Sequence, residues 1–305
     1  MNNVLTNIKN LELETIKNLK NSKSSNTLRA YKSDYNDFSI FCSKNGFQSM
    51  PTNPKTLSLY ITQLSIKSKF STLKRRLASI SILHKIKGHY IDVRHPIIME
   101  NLMGIKRVRG SNQRGKKPLL INDLKLLINV IDESNENHIR KIRDKAILLV
   151  GFSGGFRRSE LVSLERQDIE FVSEGVKIFV KRSKTDQSGE GMIKAIPYFE
   201  NKEFCPVTKL KDWIDIFANS QNKIFNISDK SVGLIIKKYA SKAGLDSRKY
   251  GGHSLRSGFA TSTAESGAEE RNIMAMTGHK STEMVRRYIK EANLFKNNAL
   301  NKIKI

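Results

Sequence analysis

Three short stretches of the chain place basic and nucleophilic side chains where the surrounding residues read as core. The first is Ser153-Gly154-Gly155-Phe156-Arg157-Arg158-Ser159-Glu160-Leu161. It closes an apolar helical run, its glycine pair permits a tight turn, and a new helix then begins. Arg157 thus falls at a helix start, where free backbone N–H groups already favour an anion. Glu160, one turn on, can brace the guanidinium. The second stretch is Gly251-Gly252-His253-Ser254-Leu255-Arg256. Its three-residue spacing puts His253 and Arg256 on one side of a helical turn, within reach of a single ligand. A guanidinium fork binds two phosphoryl oxygens, and an imidazole donates a hydrogen bond or moves a proton near neutral pH. The third is Thr277-Gly278-His279-Lys280-Ser281-Thr282-Glu283-Met284-Val285-Arg286-Arg287-Tyr288, with Tyr288 nine residues after His279. A tyrosine hydroxyl, with a reference pKa of about 10, becomes a competent nucleophile where nearby cations stabilise the phenolate. Arg286 and Arg287 are the adjacent cations in sequence. A capping histidine, a surface arginine and a core tyrosine are the bland readings of the same residues.

The elements that must position these groups are mostly helices. After the cap residues Ser25-Asn26-Thr27, Leu28, Tyr31, Tyr35, Phe38 and Cys42 recur at three- and four-residue spacing until Gly46, one helical stripe. A second helix follows Pro54. A third begins at Ser71 with Leu73, Leu77, Ile80 and Leu83 inward, and a fourth spans Pro96 to Met103. Lys74, Arg75, Arg76 and Lys85 lie on the outer face of the third. Beyond residue 118 come an amphipathic helix after Asn122 and a long one from Asn137 to Phe152. Two short strands, Val176–Val180 and Met192–Ile196, flank a polar turn. Helices return from Pro206, with Trp213, Ile214, Ile216 and Phe217 expected in the core.

Composition agrees with an anionic partner. The 305 residues carry 54 Lys and Arg against 29 Asp and Glu, a formal charge of +25. Through Lys117 the count is 22 against 6, so the excess is concentrated at the N-terminal side. Such a surplus repels itself unless an anion neutralises it, and nucleic acid is the commonest partner; the excess of Lys over Arg admits a compositional origin. Gly104 to Pro118, polar and basic, reads as a linker, and Lys106, Arg107 and Arg109 within it can lie along a phosphate backbone. No apolar run is long enough to span a membrane. There is no secretory h-region, and two distant cysteines, Cys42 and Cys205, imply neither a disulfide framework nor zinc. A cytoplasmic setting is expected. No Gly-x-x-x-x-Gly-Lys loop implies a nucleotide.

Taken in order, Arg-x-x-Glu-Leu, His-x-x-Arg, and Gly-His with a tyrosine nine residues on resemble the tyrosine recombinase family, the phage integrase type that includes Xer-like and Cre-like enzymes. The resemblance implies a mainly α fold with a small antiparallel β-sheet. An N-terminal four-helix, SAM-like core-binding bundle (1–104) would be joined by a basic linker (105–118) to a mixed α/β catalytic domain (119–305), the two forming a C-shaped clamp on DNA. It implies that Arg157 and Arg256 hold the scissile phosphate, that His253 and His279 assist, and that Tyr288 is the nucleophile. The family also uses a lysine on a β-hairpin between the first arginine and His253. Lys184 matches best, with Lys181 and Lys194 as rivals. The implied activity is site-specific cleavage and rejoining of double-stranded DNA through a covalent 3′-phosphotyrosine, with neither metal nor other cofactor. The tail 289–305, with Leu294, Phe295, Ala299, Leu300 and Ile303, would link protomers into a tetramer on DNA, alone or with a second recombinase. The 24 residues before the first expected helix leave no room for an arm-binding domain of the lambda type. Two other readings stand beside this one: a type IB topoisomerase-like enzyme, and a non-catalytic DNA-binding repressor or architectural protein.

Overall fold

The structure, a computed structural model, describes residues 2–111, 115–181, 190–217, 222–292, 301 and 303. It divides into two compact units, Met1–Arg114 and Gly115–Ile305. In the first unit, α1 (Asn2–Asn21) precedes a bundle of α2 (Ser25–Lys44), α3 (Pro54–Ser65), α4 (Phe70–Ile86) and α5 (Pro96–Arg109). Side-chain caps start three of these, α5 among them through the His95 ring, which accepts from the Ile97 N–H (3.3 Å). The Ser24 hydroxyl accepts from the Thr27 N–H, and the Asn53 side chain accepts from Thr56 N–H with Pro54 at the first helical position. Phe38, Cys42, Leu57, Tyr60, Ile61, Leu73, Leu77, Ile80, Ile98 and Leu102 form the core. The four helices expected from the pattern are those that build it.

Two features differ from the sequence reading. Helix α1 occupies residues expected to precede the first helix, and its side chains that are described are exposed, so no buried stripe marks it. Helix α5 runs past Met103 to Arg109, so the first residues of the expected linker are helical. Ile105 still packs on the core, and the Arg109 guanidinium donates to the carbonyls of Ser65 (2.6 Å) and Ile66 (3.2 Å) at the end of α3. Gly110, at φ 73°, then ends the helix.

The second unit contains α6 (Ile121–Glu133), α7 (His138–Ser153), α8 (Arg158–Ser163), a three-stranded antiparallel sheet, α9 (Pro206–Phe217), α10 (Asp229–Lys242), α11 (Ser254–Glu265), α12 (Glu270–Thr277) and α13 (Thr282–Ala292). The sheet runs in the order β1 (Ile169–Val172), β2 (Gly175–Val180), β3 (Met192–Pro197), with Ile169 opposite Ile178 and Ile178 opposite Lys194. Strand β1 is too short, at four residues, to show an alternating signature, which is why only its two neighbours are legible in sequence. Helix α7 is buried along its whole second half and forms the axis of the core with Trp213, Phe225, Ile236 and Tyr239. Trp213 and Ile214 are core as expected, whereas Ile216 is 44% exposed, because the buried stripe of α9 passes on its other side. No helix among the described residues is long and apolar enough to cross a membrane.

The start of this unit is laced onto α11. Leu119 N–H donates to the Ser254 carbonyl (2.9 Å), and Ile121 N–H to the Ser262 hydroxyl (3.3 Å). Gly258 makes this approach possible, since a Cβ there would lie 1.9 Å from the Leu119 carbonyl oxygen. Backbone cannot swing aside as a side chain can, so Gly258→Ala should destabilise the unit by about 1–3 kcal/mol. A urea midpoint equal to wild type would contradict that reading.

Candidate active site

The end of α7 is a Schellman turn. Phe156 N–H donates to the Gly151 carbonyl (3.1 Å) and Gly155 N–H to that of Phe152 (2.9 Å), with Gly155 left-handed at φ 54°. A side chain at Gly155 would be strained there and would also crowd Phe259 and Thr277. The turn delivers Arg157 to the start of α8. Glu160 clamps it, accepting from the Arg157 N–H (2.9 Å) and from its guanidinium (2.6 Å). The brace expected from the spacing is therefore doubled by the backbone.

Arg256, in the first turn of α11, is 1% exposed. Its Nη1 donates to the Gly155 carbonyl (2.9 Å), while its buried Nη2 has no hydrogen-bond partner among the described residues. Burial and the neighbouring Arg157 lower its pKa to about 10, against the opposing pull of Glu160 and Tyr288. A buried donor left without a partner is costly, and an arriving anion removes that cost. His253 precedes α11 and is exposed at the surface. Desolvation, Arg256, Arg157 and Arg158 hold it below the usual imidazole range.

Tyr288 belongs to a small separate core with Ala260, Ala264, Ile273 and Val285, formed by α11, α12 and α13. Its ring is core, and its hydroxyl lies 3.4 Å from His253 Nε2. The ring is core, as one reading has it, and the hydroxyl end faces His253. The cations beside it in space are not those beside it in sequence. Arg286 pairs with Glu270 and is 70% exposed, and Arg287 is exposed, because neighbours one and two positions away point to other faces of a helix. Arg256 takes their place.

His279 follows Gly278, the left-handed cap of α12. The Thr277 hydroxyl donates to the Ile273 carbonyl (2.6 Å), so it accepts from His279 Nδ1 (2.7 Å), and the neutral ring presents an unprotonated Nε2. The spacing argument does not single out Thr277; a hydroxyl two residues before a histidine is the only signal. The rings of His279 and Tyr288 lie 6.1 Å apart. Desolvation, then Arg256 and Arg157, bring His279 to about 4.

The hairpin lysines separate clearly. Lys194 is fully buried among these groups. Lys181 instead pairs with Glu165 and Asp168. Lys184 and most of the tail lie outside the described residues; Ile303 is described and exposed. A hollow of about 690 Å³ opens beside Arg157 and His253, lined by Lys116, Arg158, Lys230 and Lys237. Among the described residues no cluster of His, Cys, Asp or Glu could hold a metal ion.

The expected DNA-binding residues of the first unit fall into two sets. Lys74, Lys85, Lys106 and Arg107 are exposed. Arg75 is engaged by buried Asp34, Arg76 by Asp37 and the Tyr60 hydroxyl, and Arg109 by the end of α3. Helical periodicity places a residue on a face but does not show the carboxylates of α2 waiting there.

The arrangement gathers two arginines and two histidines about a phenol, a set that could hold an anion. The model of the phage integrase family matches residues 119–294. An integrase/recombinase xerD homolog of Selenomonas ruminantium is 40% identical over 98% of this chain and 91% of its own. A tyrosine recombinase XerC of Syntrophus aciditrophicus is 26% identical over 86% of each. Among solved structures, the XerH site-specific recombinase bound to a palindromic difH substrate superposes with a TM-score of 0.64 at 17% identity, over 86% of this chain and 77% of that one. Lambda integrase residues 75–356, a dimer on a core site, gives 0.60 at 19%, over 96% and 98%. The chain belongs to the phage integrase family, the tyrosine recombinases.

The imidazole shifts have a consequence for stability. The folded protein binds a proton at His279 less readily than the unfolded chain, whose value is the ordinary 6.5. The stability this contributes is complete above pH 6.5 and is lost as pH falls towards about 4. His253 acts in the same direction. Urea midpoints measured across that window should fall, and His279→Gln should fall less steeply. Parallel curves for the two proteins would refute the assignment.

Proposed function

We propose that the chain is a site-specific DNA recombinase that cuts and rejoins double-stranded DNA through a 3′-phosphotyrosine on Tyr288. The observation that carries this is the buried Arg256, with an unpartnered Nη2, converging with Arg157, His253 and His279 on the hydroxyl end of Tyr288. Nucleophilic attack on a phosphodiester builds negative charge on the nonbridging oxygens, and two preorganised guanidinium groups oppose it there. His253 takes the phenolic proton as Tyr288 Oη bonds to phosphorus. The bond from phosphorus to the 5′ oxygen breaks, and that oxygen takes a proton from the hairpin lysine, for which Lys184 remains the choice. His279, neutral while the site is empty, gains a proton at Nε2 as the anion enters and then donates to a phosphate oxygen. The reverse attack by a 5′ hydroxyl of a second strand rejoins DNA with no external energy source. No step calls on a metal or other cofactor.

The first unit is proposed as the core-binding domain and the second as the catalytic domain. The exposed Lys74, Lys85, Lys106 and Arg107 are the proposed backbone contacts, with Arg75, Arg76 and Arg109 serving the fold of the unit instead. Assembly into a tetramer on DNA through the tail belongs to the same proposal, supported by family membership and by the apolar residues at the end of the chain.

Tyr288→Phe should bind DNA as the wild type does and give no covalent protein–DNA adduct. The substrate for that assay is a nicked duplex carrying a site recovered from DNA trapped on the protein in cells. An adduct at wild-type yield would remove Tyr288 from the role, and relaxation of supercoils without site preference would favour the topoisomerase reading. Replacing Lys74 and Lys85 together by alanine should reduce the slope of log affinity against log salt by about 2. An unchanged slope would place both lysines away from the duplex.

A further inference from the structure

Lys194 is the one lysine of β3, and its side chain turns from the sheet into the interior, with no exposed surface. Its ammonium donates to the carbonyl of Gly154 (2.8 Å) and to that of Met276, and stands 4.9 Å from the centre of the Phe156 ring. Gly154 caps α7, and Met276 lies in the last turn of α12. The final carbonyls of a helix have no partner within it and carry the negative end of its dipole. Two such ends meet at Nζ, one belonging to the turn that delivers Arg157 and the other to the turn that delivers His279.

We propose that Lys194 is a positioning residue, a single buried cation that caps α7 and α12 together and so holds the Arg157 turn and the His279 turn in register. The proposal rests on the recombinase reading above, which assigns Lys194 no such part. An ammonium has three hydrogens, and here two carbonyls and one ring face occupy the directions they can take. That commitment separates Lys194 from a proton donor to the leaving oxygen. The neighbouring Gly155 carbonyl receives Arg256, so successive carbonyls of one glycine turn each hold a buried cation. Facing the ammonium are Glu160, which favours its charge, and Arg256 and Arg157, which oppose it; His279 senses it in turn. Burial, and after it the two arginines against the pull of Glu160, lower its pKa to about 7, and the two carbonyls offset part of the cost of holding an ammonium there.

The test uses full-length Lys194→Met, which keeps the stem and removes the donors, with Lys184→Ala and Tyr288→Phe alongside. Each is assayed on the nicked duplex with the natural 5′ oxygen and with a 5′ bridging sulfur, which needs no protonation to leave. Lys194→Met should bind DNA within about twofold of wild type in gel shifts. It should form adduct slower on both substrates by up to about 10²-fold, the scale of an ångström of misplacement. Sulfur should restore Lys184→Ala but not Lys194→Met. Restoration of Lys194→Met by sulfur would make it the proton donor and overturn the proposal, as would adduct formation at the wild-type rate. Circular dichroism and thermal unfolding establish that the variant is folded. If it is not, Lys194→Gln, whose amide can still donate to carbonyls, takes its place, and failure of both to fold would reduce Lys194 to a structural role and overturn the proposal. Absence of adduct from the wild type itself would instead count against the recombinase reading.

Discussion

The second unit is organised around like charges brought together out of water. Burial, with the neighbouring arginines adding to it, lowers the pKa of both Arg256 and Lys194, and Glu160 is the carboxylate set among them. Concentrating cations in this way costs free energy, and the fold answers with carbonyl oxygens. Gly154 and Gly155 present successive carbonyls to Lys194 and Arg256, and the last turn of α12 presents another. Helix ends, which must find partners for their terminal carbonyls in any protein, here find them in Lys194 and Arg256. The deficit of negative charge that remains matches the ligand the site is proposed to take.

This constraint explains why glycines stand where they do. Gly155 supplies the left-handed residue a Schellman turn requires, and with it the reversal that points Arg157 back towards α11. Gly252 lies flat beneath Arg158, where a Cβ would fall 1.8 Å from the arginine's Cδ. Local backbone geometry and the placing of charges are therefore one problem. The histidines complete the arrangement, for burial and then the surrounding cations hold both imidazoles below their ordinary range.

Much of this was legible from residues alone, and for definable reasons. Strong helical periodicity located α2, α3, α4, α6 and α7, and the spacings within Arg-x-x-Glu and His-x-x-Arg already implied shared faces. Three kinds of information were not local. The partner of a surface arginine sits on another helix, so Arg76 reads as a DNA contact until Asp37 and Tyr60 are seen beside it. Proximity across the fold, such as Arg256 beside Tyr288, is invisible to spacing, which pointed instead to Arg286 and Arg287. Finally, alternation marks β3 as a strand but treats Lys194 as an ordinary polar residue. Only the two helix ends above it show why a lysine occupies an interior position.

The nucleophile's surroundings carry a different implication. Tyr288 does not pack in the main core of the unit but in a satellite of Ala260, Ala264, Ile273 and Val285. Met274 and Ile289 pack against it, so α13 joins α11 and α12 through a core of its own. Arg157 is carried by the large core through α7, while the Tyr288 ring is carried by the satellite. On the proposed function, loosening the satellite would displace the phenol and leave the large core in place. Binding a phosphate and attacking it would then draw on different parts of the same chain.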